Sequence, residues 1–133
     1  MDVRIYYEDT DSGGVVYHAN YLKYFERART ELFRKHNFYV AELAENGFVF
    51  PVVRAELDFK APARHDELLT VTTVPVRISG SSFSLRQEII RNNDGRLLVG
   101  GVITLACIGP NFKARRIPAE IRELLESQLE SES

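Results

Sequence analysis

At 133 residues the chain has the length of a single domain and enough material to bury a core. Its 17 Lys and Arg against 19 Asp and Glu give a formal charge of −2 with both signs mixed along the chain, which excludes the basic stripe of a nucleic-acid binder. One cysteine, Cys107, excludes an internal disulfide framework. No apolar run is long enough for a membrane span, and no signal-peptide pattern precedes "DVRIYYED", so a cytoplasmic domain spanning 1–133 is expected.

Residues 3–8 alternate, with Val3, Ile5 and Tyr7 opposite Arg4, Tyr6 and Glu8, which predicts a strand. From Tyr21 the period changes. Tyr21, Phe25, Ala28 and Leu32 form one apolar stripe, widened by Leu22, Tyr24 and Phe33, and predict a helix over about 17–36, roughly 30 Å long. On it Glu31 can pair with Lys35, and Glu26 with Arg29. A short helix over about 39–45 stops at Gly47.

Strands follow. In 52–59, Val53, Ala55, Leu57 and Phe59 alternate with charged residues, the pattern of a half-buried strand. Residues 68–78 form a second, in which Pro75 demands a bulge or an edge. Residues 82–91 form a third, with Phe83, Leu85 and Ile89 on one face. "NNDG" (92–95) is hairpin-turn chemistry. The run 96–108 is apolar or small on both faces, and this pattern asks for a cover on each side, the second from another subunit. A last helix follows Pro118, placed at N1, and the polar tail begins at about 127. The order predicts an α+β domain with an antiparallel sheet around one long helix.

The chemistry concentrates in "DTDSGGVVYHANY" (9–21), between the first strand and the long helix. Its spacing fails as an EF-hand and as a P-loop, and the three histidines with Cys107 lack zinc-ligand spacing, so neither a metal nor another cofactor is expected. The Gly13-Gly14 pair leaves the backbone bare where the helix begins, so a ligand can reach helix N–H groups. Asp11 and His18 flank that bare segment.

The stretch "VRIYYEDTDSGGVVYHANYLKYFERARTELFR" resembles the signature of the hotdog-fold acyl-CoA thioesterases, and within them the 4-hydroxybenzoyl-CoA thioesterase group and its tol-pal-associated branch. The pattern there is Y-x-D-T-D-x-x-G-x-V-Y-H-x-x-Y followed by F-x-E-x-A-R. Tyr7, Asp9, Thr10, Asp11, Gly14, Val16, Tyr17, His18, Tyr21, Phe25, Glu26, Ala28 and Arg29 match it, and "KAPARHDELL" (60–69) resembles a second family segment. The resemblance runs from about Val3 to about Pro118. It implies a hotdog fold, subunits paired edge to edge as a homodimer or homotetramer, and an active site at the subunit boundary. It aligns Asp11 with the family's essential carboxylate and puts the His18 N–H against the thioester carbonyl.

On this reading the catalytic residues are Asp11 and His18, and the substrate-binding residues are Gly14, Val15, Tyr17, Asn20, Lys60 and Arg64. The substrate is an acyl-CoA or acyl-carrier-protein thioester. Asp11 acts as nucleophile or as general base. Asp9 is a structural acceptor. Arg77 and the cluster 113–116 are further candidates for the phosphates of coenzyme A, while Ser79 stands where relatives often carry a basic residue. A hotdog hydratase or dehydratase, and a non-catalytic partner that binds acyl groups or acyl carrier protein, are the alternatives.

Overall fold

A computed structural model describes residues 1–129; residues 130–133 of the expected polar tail lie outside the described residues. Strand β1 (Asp2–Arg4) leads through a single 3-10 turn (Tyr7–Asp9) and the loop to helix α1 (Ala19–Lys35). Helix α2 (Val40–Glu45), strands β2 (Val52–Phe59), β3 (Leu68–Ile78), β4 (Ser82–Arg91) and β5 (Leu97–Ala106), and helix α3 (Ala119–Ser127) follow. The strands make one antiparallel sheet in the order β1-β3-β4-β5-β2. The α+β class, the long helix and the antiparallel sheet are those expected.

The core lies between α1 and one face of the sheet. Tyr21, Tyr24, Phe25, Ala28 and Phe33 of α1 meet Leu69, Val71, Phe83, Leu85, Ile89, Val99, Ile103 and Leu105, and α3 adds Ile121, Leu124 and Leu125. Each fully buried large side chain contributes about 1.5–3 kcal/mol. Two polar residues break the apolar pattern and meet each other. Gln87 is fully buried on the inward row of β4. Its Oε1 accepts Arg29 Nη1 at 3.0 Å, and its Nε2 donates to the Phe25 carbonyl and to Thr73 Oγ1, both at 2.9 Å. Burial pulls the Arg29 guanidinium below its usual pKa. Arg29 therefore serves the helix–sheet junction and pairs with Gln87 rather than with Glu26.

Several expectations change. The first strand stops at Arg4 rather than reaching residue 8, because the Asp9 carboxylate accepts the Tyr6 N–H at 2.8 Å and winds 7–9 into a turn. Leu22 does not widen the helix stripe and is exposed. Glu31 pairs with Arg34 at 3.3 Å, not with Lys35. Pro118 is the N-cap of α3, one position before N1. Strand β2 is the sheet's outer strand and is largely exposed; on its core-facing row only Leu57 is half-buried. Pro75 sits at a register shift in β3, the bulge its missing N–H requires.

Part of the two-faced apolar run in β5, its start at Leu98 and Val99, has a local cause. Ile89 pairs with Val99 and Ile90 with Leu97, so Leu98 is the extra residue of a bulge, and both Leu98 and Val99 are buried within the chain. Farther along the strand's other face, Val102, Thr104 and Ala106 are half-buried among their own neighbours.

Candidate active site

Three segments build the site: the loop 10–16, the start of α1, and the segment 59–64 that leaves β2. The loop is a small hairpin. Thr10 bridges Val16, the Asp11 N–H donates to the Val15 carbonyl at 2.9 Å, and the Gly14 N–H donates to the Asp11 carbonyl at 3.0 Å. Gly14 holds φ +77°, a left-handed conformation that glycine adopts without a Cβ penalty. Asp11 Oδ1 accepts the Gly13 N–H at 2.9 Å, which fixes the carboxylate above its own turn.

The β5 bulge anchors the third segment. The Leu98 carbonyl accepts the N–H groups of Lys60 (2.7 Å) and Ala61 (3.1 Å). The Val16 N–H then donates to the Ala63 carbonyl at 2.9 Å, Val15 bridges Arg64, and the Ala63 N–H donates to Tyr21 Oη at 3.0 Å. Burial holds the Tyr21 phenol above its usual pKa, so it stays neutral as an acceptor.

Between these segments lies a cleft of about 340 Å³ lined by Asp11, Val15, Val16, His18, Tyr21, Phe59, Lys60, Ala61 and Pro62. Asp11 is exposed within it. His18 is the N-cap of α1, and among the described residues neither its N–H nor that of Ala19 has an acceptor. Its ring lies 4.6 Å from that of Tyr17 and edge-on to Phe59 at 6.3 Å. The cleft thus gathers, around an apolar wall at the start of α1, residues that carry a carboxylate, an imidazole and an ammonium.

Of the residues expected from sequence, Asp11, His18, Val15 and Lys60 come together on the cleft. The other four do not line it. Gly14 shapes the turn. Tyr17 is half-exposed against His18. Arg64 is exposed and contributes its backbone to the Val15 bridge. Asn20 makes an internal cross-link, its Nδ2 donating to the Asp9 carbonyl at 2.9 Å.

Asp9 is an acceptor as expected, through both its carboxylate and its carbonyl. Beside it the Tyr24 hydroxyl is buried, and burial first, then its hydrogen bonding to Asp9 and the Asp9 charge, raise the phenol's pKa. Arg115 donates to the Gly47 carbonyl and stacks over Phe48 at 3.8 Å, so it is committed to the fold. Ser79 is met by a cation from elsewhere, since Arg122 Nη1 donates to its carbonyl at 2.8 Å. Among the described residues no cluster of His, Cys, Asp and Glu has the makeup to hold a metal ion.

Sequence reasoning missed Val16, Tyr21, Phe59, Ala61 and Pro62 as cleft residues. The available signal was an aromatic at the end of a strand followed at once by a basic residue and a proline.

A carboxylate and the N-cap of a helix on one cleft, beside an apolar wall, are the equipment of a hydrolase acting on an acyl carbonyl. The model of the thioesterase superfamily matches residues 13–98 of this chain. The acyl-CoA thioester hydrolase YbgC of Escherichia coli O6:H1 is 40% identical over 120 residues, covering 90% of this chain and 89% of that protein. The acyl-CoA thioesterase YbgC of Haemophilus influenzae is 39% identical over 122 residues, covering 90% and 88%.

Among solved structures, a 1,4-dihydroxy-2-naphthoyl-CoA thioesterase from Synechocystis superposes with a TM-score of 0.88 at 25% identity, covering 94% of this chain and 93% of that one. A gentisyl-coenzyme A thioesterase superposes with a TM-score of 0.84 at 26% identity, covering 92% and 98%. The chain belongs to the thioesterase superfamily, and its fold is the hotdog fold.

Proposed function

We propose that this chain hydrolyses acyl-CoA thioesters to the free acid and coenzyme A in the cleft between the loop 10–16 and Phe59–Pro62. The observation that carries the reading is that Asp11 and His18, the N-cap of α1 whose N–H has no acceptor among the described residues, line one cleft. The identity to YbgC thioester hydrolases over most of the chain supports it.

The thioester carbonyl oxygen points at the His18 N–H, where the helix dipole adds to the hydrogen bond. As the carbonyl carbon is attacked, charge grows on that oxygen, and a donor of this kind is worth about 3–4 kcal/mol to the transition state. Asp11 supplies the negative oxygen. It takes a proton from the attacking water, or it attacks the carbon itself and water then cleaves the anhydride. Collapse of the intermediate breaks the C–S bond. The leaving thiol has a pKa near ~8.5 by analogy with cysteine, so the thiolate departs without a strong acid.

The His18 imidazole orients the water or the thioester, the apolar wall takes the acyl group, and Lys60 faces the phosphates of the carrier. A second copy completes the site along β2, whose outer edge is unpaired and whose Val53 and Phe59 side chains are 61% and 53% exposed. The unpaired Cys107 suits a cytoplasmic setting.

Thiol release from a panel of acyl-CoAs tests the proposal. Asp11→Asn keeps the shape and removes the charge, and turnover is expected to fall by a factor on the order of 10³ or more. Thiol release unchanged in Asp11→Asn would defeat it. A wild type that hydrates an enoyl thioester without releasing thiol would mark a hydratase, and binding without any turnover would mark a carrier-binding partner.

A further inference from the structure

We infer that Asn20 is a positioning residue for the reaction: its side-chain amide ties the first turn of α1 to the Asp9 peptide and so sets the distance between the Asp11 carboxylate and the free amide of His18. The inference rests on the catalytic reading of Asp11 and His18 above, and it assigns Asn20 a part that touches neither substrate nor reacting atoms.

The wiring is local. The Asp9 carbonyl accepts two hydrogen bonds, from the Tyr17 N–H at 3.1 Å and from Asn20 Nδ2 at 2.9 Å. The Asp9 N–H and carboxylate are bound to Tyr6, the first donating to its carbonyl at 3.0 Å and the second accepting its N–H at 2.8 Å. The Asp9 peptide is therefore held from the strand side and grips the helix side with both lone pairs. Asn20 is the second residue of α1 and also donates its own N–H to the Tyr17 carbonyl at 2.9 Å, so its position reports that of the whole first turn.

The segment enclosed by this junction, residues 10–17, carries Asp11 near one end and leads into His18 at the other. The Thr10–Val16 bridge closes the hairpin but lies on the loop side of the junction. The Tyr17 and Asn20 bonds to the Asp9 carbonyl tie the helix start directly to that peptide, while Tyr21 ties it separately to Ala63. Asn20 is the one of the two that comes from the helix itself, and its half-buried side chain adds weight to that bond.

Removing the amide leaves the Asp9 carbonyl with one bond and frees the helix start to move against the carboxylate. Catalysis responds to such displacement far more than binding does, since a misplacement of about 1 Å costs on the order of 10²-fold in rate. Binding of the acyl group depends on the wall formed by Val15, Val16, Tyr21 and Phe59, in which Tyr21 stays tied to the Ala63 N–H and Val16 to the Ala63 carbonyl when the Asn20 amide is removed.

The test is steady-state kinetics of the full chain on one acyl-CoA. Asn20→Asp keeps the volume but sets an oxygen against the Asp9 carbonyl, and Asn20→Ala removes the group without adding charge. Both variants are expected to fold, as judged by thermal melting, and to lose about 10- to 100-fold in kcat with KM within about a factor of two of wild type.

A kcat within about twofold of wild type in a folded Asn20→Ala overturns the inference. So does a loss expressed in KM, which would make Asn20 a substrate contact. Loss at Asp11→Asn with none at Asn20 overturns this inference alone, whereas full turnover in Asp11→Asn overturns the proposed function with it.

Discussion

The two glycines of the loop do different work, and the difference is measurable. Gly14 lies at φ +77° with no atom near the position its Cβ would take, so Gly14→Ala meets only backbone strain, about 1–2 kcal/mol. Gly13 has an ordinary φ, but a Cβ there would come within 3.2 Å of Asp11 Oδ1 and crowd the carboxylate by a few tenths of an ångström. Gly14→Ala is therefore expected to lower the unfolding midpoint in urea. Gly13→Ala is expected to leave that midpoint almost unmoved and to lower kcat by roughly 10-fold through displacement of Asp11. A Gly13→Ala enzyme with wild-type kcat would show that the carboxylate has room to spare. The sequence shows the glycine pair but not this division of labour, because φ and the direction of the missing Cβ depend on how the Asp11 turn closes.

At the scale of elements, strands β3 and β4 match the residue pattern at both ends, because strict alternation meets turn residues on either side. The first strand fails for a physical reason. Tyr6, Tyr7 and Glu8 continue the alternation, but the Asp9 carboxylate three residues after Tyr6 offers its N–H a nearer acceptor than any sheet neighbour. The Arg29–Gln87 pair is not read from the sequence, which sets Arg29 against Glu26: a partner 58 residues away comes within reach only when α1 packs on β4.

The β4–β5 hairpin supplies a pH prediction. Asp94 accepts Arg91 Nη2 at 2.7 Å and the Arg96 N–H at 3.1 Å, and Gly95 turns the chain at φ +68°. These hydrogen bonds, Arg91 first, lower the Asp94 pKa from 3.8 to about 2. A depressed carboxylate stabilises the fold above its unfolded pKa and gives up that stabilisation as pH falls toward the folded value. The Tm is therefore expected to drop between about pH 4 and pH 2 from this group, and Asp94→Asn is expected to lower Tm at neutral pH while flattening that acid limb. Equal acid limbs in the two proteins would show that the turn carboxylate is not linked to folding.

Across the whole molecule, the legible part of the site is the part that lies within one run of sequence. Asp11 and His18 stand seven residues apart in a single motif, whereas the cleft wall is assembled by topology. Phe59, Ala61 and Pro62 reach it only because β2 pairs with β5 and the Leu98 carbonyl, released by the bulge, holds the chain that leaves β2. The same topology leaves β2 as an outer strand whose outer edge pairs with no strand among the described residues, and such an edge is a template for another chain. Val53, at 61% exposure, sits at the register shift between Val52 and Arg54, an exposed apolar residue beside the charged Arg54, Glu56 and Asp58.

Two copies joined along β2 would pair the edge and shield Phe59 at the mouth of the cleft. The wild type is therefore expected to elute from gel filtration at the mass of two or four chains, and its specific activity to fall on dilution through the dissociation range. Val53→Glu sets two like charges near the joint and is expected to shift the mass toward one chain, with activity falling in step because the cleft loses its second side. If Val53→Glu is a fully active single chain, the site is complete within one copy, and the exposed edge has another purpose.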